Sequence, residues 1–371
     1  MDFPLQPQVL AMKPYSPGKP IEEVQREFGI DRPVKLASNE NPLGPSPKAV
    51  RAIQEAAAGI HIYPTADCYR LRQKLSQTFD VPPDQLMIGN GSEELIHVLG
   101  QIFLGGPEDE VVVGDPSFPR YAAATRLAGA TLRPVPLDSG LRHDLSAMAS
   151  QCNEKTKLVF IANPNNPTGT IVFRDDLISF LRDLPAQVVT VLDEAYFEFA
   201  AHDARMPHSL ELLRSGERVI GLRTMSKAYG LAAARIGYGW APSAIASAMF
   251  TAREPFSVST LAQEAAIAAL DDVDHAQATL RNNAKGMERL IRELETWPAI
   301  RLTPSWGNFV LVDVGQPIGP IFDQLLRQGV IVRPGNQFGI PTSMRVSIGT
   351  DEEMTRFVEA FRAVMRLEAP V

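Results

Sequence analysis

Two apolar runs in this chain end in residues able to do chemistry. Val219-Ile220-Gly221-Leu222 has the composition of a buried strand and delivers Arg223-Thr224-Met225-Ser226-Lys227. Hydroxyls at 224 and 226 and the following Ala-Tyr-Gly-Leu-Ala leave Lys227 beside small, partly apolar groups. A lysine kept from water has a lowered pKa and can act as an amine nucleophile. The other reading of Lys227 is an ordinary surface lysine. Val188 to Leu192 likewise delivers Asp193-Glu194-Ala195-Tyr196. An acid at the carboxyl end of a strand can serve a ligand, since open α/β sheets bind there, or can cap the next helix.

Two further strand ends carry polar turns. Leu86-Met87-Ile88 runs into Gly89-Asn90-Gly91-Ser92-Glu93-Glu94 and then a helical pattern. Strand, glycine turn and helix start together cradle a phosphate, because free N–H groups and the positive end of the helix dipole point the same way. The spacing is not G-x-G-x-x-G, and the lysine of a P-loop is missing, so one phosphate fits better than a dinucleotide or ATP. Leu158 to Ala162 leads into Asn163-Pro164-Asn165-Asn166-Pro167-Thr168-Gly169, a rigid turn able to aim an amide at a ligand, or simply a loop. A phosphate cradle, an acid, a tyrosine three residues after it, an amide and a reactive lysine together suit pyridoxal 5′-phosphate. Its aldehyde needs a lysine, and its pyridine nitrogen needs a carboxylate partner to stay protonated and act as an electron sink.

The elements that must position these residues follow from the pattern of apolar runs. Leu86–Ile88, Val111–Val113, Leu158–Ile161, Val188–Leu192 and Val219–Leu222 are short, continuous and bounded by charges, Gly, Pro or Asn. Strands covered on both faces look like this, and helical segments such as Glu93–Phe103 and Asp176–Leu184 lie between them. The alternation predicts an α/β fold with a mostly parallel, doubly wound sheet over residues 48–274. Residues 1–47 are rich in proline and read as an N-terminal arm lying on other structure, with a short helix from Ile21 to Phe28. Residues 275–371 begin with a long charged helix to about Trp297. They continue through strands at Phe309–Val314, Val330–Arg333 and Met344–Ile348 to an amphipathic helix from Asp351, the pattern of a smaller α+β domain.

Composition narrows the choice. The 371 residues carry 36 Lys+Arg against 43 Asp+Glu, a net charge of −7 that argues against nucleic acid as the main partner. Cys68 and Cys152 cannot build a disulfide framework, and the six histidines show no paired metal-ligand spacing, so no metal is expected. The N-terminus lacks the basic and apolar regions of a signal peptide, and no stretch reads as a membrane span; the expectation is a cytoplasmic protein.

The chain resembles the fold-type I pyridoxal-phosphate aminotransferases and, among them, the histidinol-phosphate aminotransferase family. The resemblance runs nearly end to end. It is carried by Ser38-Asn39-Glu40-Asn41-Pro42, Asn163 to Gly169, Asp193-Glu194-Ala195-Tyr196, and Thr224 to Leu231 with Arg235 eight residues past Lys227. It implies that Lys227 binds the cofactor aldehyde and later moves a proton, and that Asp193 pairs with the ring nitrogen. Asn166 and Tyr196 would hydrogen-bond the phenolic oxygen. Gly91, Ser92 and Glu93 would cradle the phosphate with Thr224, Ser226 and Arg235. Phe118 would stack on the ring, lacking the hydroxyl of family members with tyrosine there. Tyr63 would reach the phosphate of a neighbouring subunit, making the active unit a homodimer.

On the substrate side the resemblance assigns Arg345 to a carboxylate, a fork that lysine cannot offer. It assigns Arg333 and Tyr15 to a phosphate group, and Asn39 to the pocket lining. For Arg333 a strand-end surface charge is the other reading, and for Tyr15 a packing residue of the arm. The activity implied is ping-pong transfer of an amino group from L-histidinol phosphate to 2-oxoglutarate in histidine biosynthesis. Three alternatives use the same fold: an aromatic amino-acid aminotransferase, a decarboxylase of a phosphorylated amino acid, and a cofactor-sensing regulator. The last should carry an added DNA-binding domain, and 371 residues leave no room for one before the arm.

Overall fold

The computed structural model describes residues 3–14 and 18–365. Its first eight strands are β1 (Val34–Leu36), β2 (Leu86–Gly89), β3 (Glu110–Asp115), β4 (Thr131–Pro136), β5 (Thr156–Ala162), β6 (Val189–Asp193), β7 (Val219–Thr224) and β8 (Gly237–Trp240). Four more follow: β9 (Arg301–Leu302), β10 (Phe309–Asp313), β11 (Val330–Pro334) and β12 (Ser343–Ser347). Seven strands form one sheet in the order β2-β8-β7-β6-β5-β3-β4. Only the β8 pairings in it are antiparallel. The remaining five form a second sheet, β1-β11-β12-β10-β9.

The continuous apolar runs are explained by what covers each face of the large sheet. Val111 and Val113 pack with Phe160, Leu99 and Tyr121 on one side. Val112, between them, packs with Val159, Ile161 and Phe180 on the other. Successive strand residues point to opposite faces, so a strand buried on both sides has no polar alternation to show. Strand order runs outward in both directions from β3, with β4 on one side and β5 on the other. The ends of β3 and β5 therefore flank the reversal point where such sheets open a crevice.

The smaller sheet has its own apolar layer. Val310, Val312 and Val346 meet Leu290 and Leu294 of the Val273–Leu294 helix and Phe357 and Phe361 of the Asp351–Met365 helix. The Ile21–Phe28 helix lies where the sequence places it. Val34–Leu36, within the proline-rich arm, pairs in parallel with β11, Val34 opposite Val330 and Leu36 opposite Val332. Among the described residues no helix is long and apolar enough to cross a membrane.

Candidate active site

The carboxyl ends of β3, β5, β6 and β7 open into one cleft of about 270 Å³, closed from the opposite side by the chain around Ser38 and by β11 and β12. Strand alternation decides what enters it. Asp193 ends β6 and faces the cleft, while Glu194 turns away; Thr224 ends β7 and faces the cleft, while Arg223 turns away. Lys227, Ser226, Tyr196, Asn166 and Phe118 line the same space.

Lys227 Nζ donates to the carbonyl of Ser38 at 2.9 Å. Burial pushes its pKa down to about 8, and the positive charges of Arg345 and Arg235 act in the same direction. Asp193 is 4% exposed and, among the described residues, has no ion-pair partner. Tyr121 Oη donates to its Oδ2 at 2.8 Å, and the Ala195 N–H donates to its Oδ1 at 3.1 Å. Burial nevertheless pushes the Asp193 pKa up to about 6, overriding those two bonds. A lysine that releases its proton readily and a buried carboxylate lacking a cation are complementary requirements: an electrophilic carbon for one, a protonated ring nitrogen for the other.

The cradle is built at the start of the Gly91–Phe103 helix. Gly91 has φ +75°, and a Cβ there would lie 2.5 Å from Arg235 Nη2, so glycine alone lets the guanidinium close over the helix start. Gly237 on β8 serves the same end from the other side, since a Cβ would lie 2.2 Å from the Ser92 nitrogen. Arg235 also donates to the Ala232 carbonyl at 3.0 Å and to Ser226 Oγ at 3.5 Å. Free helix N–H groups, two hydroxyls and a fixed guanidinium are the donors that one phosphate takes.

Across the cleft, Arg333 and Arg345 are opposite each other in the antiparallel β11–β12 pair. Residues in that relation share a face, so both guanidiniums enter the cleft from adjoining strands. Phe338 lies between them, its ring centre 5.7 Å from the Arg333 guanidinium carbon and 5.8 Å from that of Arg345. Arg345 donates to the Ala37 carbonyl at 2.6 Å and to Asn166 Oδ1. Like charges side by side are unfavourable, and the geometry invites anionic groups.

Residues 31–361 match the family model for aminotransferases of class I and II. The chain belongs to that family. It is 45% identical over 358 residues to the histidinol-phosphate aminotransferase of Moorella thermoacetica, covering 96% of this chain and 92% of that protein. To the enzyme of the same name from Symbiobacterium thermophilum it is also 45% identical, with 96% and 97% covered. Among solved structures it is similar to the Sinorhizobium meliloti histidinol-phosphate aminotransferase in complex with pyridoxal-5′-phosphate. There the TM-score is 0.89 at 29% identity, with 99% and 98% of the two chains covered.

In this aminotransferase the expected cofactor residues from β2, β5, β6 and β7 converge on one space, with Gly91 behind Arg235. Asn39 lines the cleft too, but its amide is turned to Tyr196 and Ser347. Tyr63 stands outside it, 80% exposed, with its ring stacked on Phe256 at 5.0 Å. Tyr15 lies outside the described residues. Reading the sequence missed Tyr121, Phe338 and the Ser38 carbonyl. Tyr121 had one available signal: it follows Phe118 by three residues, about one helical turn, so both side chains share a face.

Behind the cleft lies a buried charge network. Arg223 Nε donates to Glu194 Oε2 at 2.9 Å, with both side chains nearly inaccessible. Glu194 also accepts from the Ser209 N–H at 2.8 Å and from Ser209 Oγ at 2.7 Å, while Trp240 Nε1 donates to Ser209 Oγ at 2.8 Å. The Arg223 guanidinium carbon lies 3.5 Å from the centre of the Phe197 ring. These groups fasten the ends of β6 and β7 to each other.

Proposed function

We propose that this aminotransferase uses pyridoxal 5′-phosphate to move the amino group of L-histidinol phosphate to 2-oxoglutarate, a step of histidine biosynthesis. The observation that carries the substrate is the cross-strand pair Arg333–Arg345. A substrate with an anionic group beside an aromatic ring matches two adjoining guanidiniums with Phe338 between them. The second substrate, 2-oxoglutarate, is a dianion and meets the same pair. The names of the curated relatives agree with this reading.

The site fits the cofactor. Lys227 would hold its aldehyde carbon, Asp193 its ring nitrogen, Asn166 and Tyr196 its phenolic oxygen, and Phe118 one face of its ring. Ser92, Glu93, Thr224, Ser226 and Arg235 would surround its phosphate. When bound, pyridoxal phosphate supplies an electron sink that makes the substrate Cα–H acidic. Lys227 Nζ, already inclined to be neutral near pH 8, then takes a proton from Cα and can return one. Asp193, kept from water, holds the ring nitrogen's proton in place. Arg345 fixes an anionic group of each substrate and, through Asn166, ties that group to the cofactor side.

The test is a rapid-mixing absorbance experiment on the cofactor-loaded protein with L-histidinol phosphate and, separately, L-phenylalanine. Bleaching of the cofactor band at least tenfold faster with the phosphorylated donor supports the assignment. Equal bleaching would make this an aromatic aminotransferase, and carbon dioxide release without amine transfer a decarboxylase. Arg333→Ala should slow the phosphorylated donor far more than phenylalanine.

The same reading includes a homodimer. Ile60, Ile62, Tyr63, Tyr69 and Phe256 are all strongly exposed apolar side chains, and a second copy of the chain would cover them. Tyr63, carried on that patch, would then reach the partner's phosphate cradle. Light scattering should give twice the 40.6 kDa chain mass, and Tyr63→Phe should weaken cofactor retention. A cytoplasmic location and the division at residues 47 and 274 belong to this proposal.

A further inference from the structure

Asn39 is one of few non-glycine residues held at positive φ, +55°, and it is 1% exposed. Three contacts fix it there. Its N–H donates to Ser347 Oγ at 2.9 Å, Ser347 Oγ donates back to Asn39 Oδ1 at 2.8 Å, and Asn308 Nδ2 donates to the Asn39 carbonyl at 3.0 Å. With the hydroxyl proton of Ser347 given to Oδ1, the amide oxygen faces Ser347 and the amide nitrogen faces Tyr196. Asn39 Nδ2 donates to Tyr196 Oη at 2.9 Å. One residue earlier, the Ser38 carbonyl accepts from Lys227 Nζ. A single strained bend thus touches both the lysine and the tyrosine of the cofactor site.

We propose that Asn39 is a positioning residue for Tyr196. By filling a lone pair of the phenol oxygen, it leaves the Tyr196 proton to be given to the phenolic oxygen of the cofactor. It acts on the reaction through the tyrosine rather than through the substrate. Hydrogen bonds in a chain polarise one another, so a phenol that accepts from an amide is the stronger donor. The relay runs Ser347 to Asn39 to Tyr196 to cofactor. It begins on β12, two residues from Arg345, so the strand that carries the carboxylate fork also sets the donor on the other side of the ring. This inference rests on the cofactor reading given above.

The proton affinity of the bound chromophore reads the relay directly. Weakening a donor to its phenolic oxygen makes the chromophore hold its proton more firmly. The experiment is a pH titration of the absorbance of the pyridoxal-phosphate-loaded protein, compared with Asn39→Gly and Asn39→Asp. Glycine accepts positive φ without strain and deletes only the amide. Aspartate keeps the shape but replaces the donor with an acceptor. Both variants should hold the chromophore's proton more tightly, by roughly three- to tenfold for the glycine variant, the value of one hydrogen bond. Tyr196→Phe should do the same, and Asn39→Gly added to Tyr196→Phe should change little more.

An unchanged titration in Asn39→Gly, or a shift of the same size with and without the tyrosine hydroxyl, overturns the proposal. So does loss of the chromophore from both Asn39 variants, which would make the residue a purely structural support. If the wild-type protein itself binds no chromophore, the cofactor reading fails instead, and the two failures are told apart.

Discussion

The two sides of the β6–β7 ends handle buried charge in opposite ways. Toward the rear, Arg223 pairs with Glu194 and Ser209 completes the carboxylate. Toward the cleft, Asp193, one residue before Glu194, and Lys227, three residues past the end of β7, are also withdrawn from water, but among the described residues neither has a counter-charge in contact with it. Their pKa values move toward neutrality from both directions, to about 6 and about 8. The rear spends its charges on holding two strand ends together. The cleft keeps its charges unsatisfied, which is the condition for using them on a ligand.

The largest effect that can break this contrast is Lys227→Ala. Amine transfer should fall by more than about 10⁴-fold. The melting temperature of the cofactor-free protein should hold or rise, because a buried ammonium is removed; a clear drop would show that the cleft side is structural after all. Arg223→Met should do the reverse. Stranding Glu194 should cost about 3–5 kcal/mol in urea unfolding, with the KM for the amino donor nearly unchanged. Adding Glu194→Gln should restore part of that loss, and failure to do so would mean that the ion pair is not the cause.

Smaller effects sharpen the comparison. Tyr121→Phe removes a donor that lowers the Asp193 pKa, so that pKa should rise and the acidic limb of the rate profile should move to higher pH. Turnover should fall roughly tenfold, the upper range for one hydrogen bond. An unmoved limb would detach Tyr121 from the chemistry. The smallest effect is a pH dependence. Capture of pyridoxal phosphate by the cofactor-free protein needs the neutral amine of Lys227. Its rate should rise with pH and level off above about 8, well below the 10.5 of an ordinary lysine. A rate still climbing at pH 9 would show that burial does not lower this lysine.

Which parts of this were legible in the sequence follows a physical line. Asp193, Lys227 and the Gly91 turn each terminate a continuous apolar run, and a run covered on both faces announces itself. Tyr121 was legible only as a neighbour of Phe118, because a tyrosine in a helix is ordinary until Asp193 is known to lie against it. Asn39 required three partners, just past β6, just before β10 and on β12, that nothing local foretells. Among strands, the three residues of β1 are too short to show a period, β4 carries prolines at an edge, and β8 is Gly-Tyr-Gly-Trp. In β8 the glycine at 237 is dictated by how closely the Ser92 backbone approaches, a contact set by the assembled fold and not by propensity.

The pairing of β1 with β11 has a consequence for how the molecule is made. Val34 leaves the ribosome early, yet its strand neighbour Val330 is synthesised about 300 residues later. The large sheet is complete in sequence once Trp240 has emerged, so the phosphate cradle and Lys227 can be in place while the chain is still growing. The bend at Ser38 and Asn39 cannot be, because β10 and β12 do not yet exist. Closing so long a loop is slow relative to local folding. A nascent chain therefore passes through a stage that has its lysine and acid but not the bend that holds Lys227 and Tyr196, and the complete cleft arrives only with the last strand.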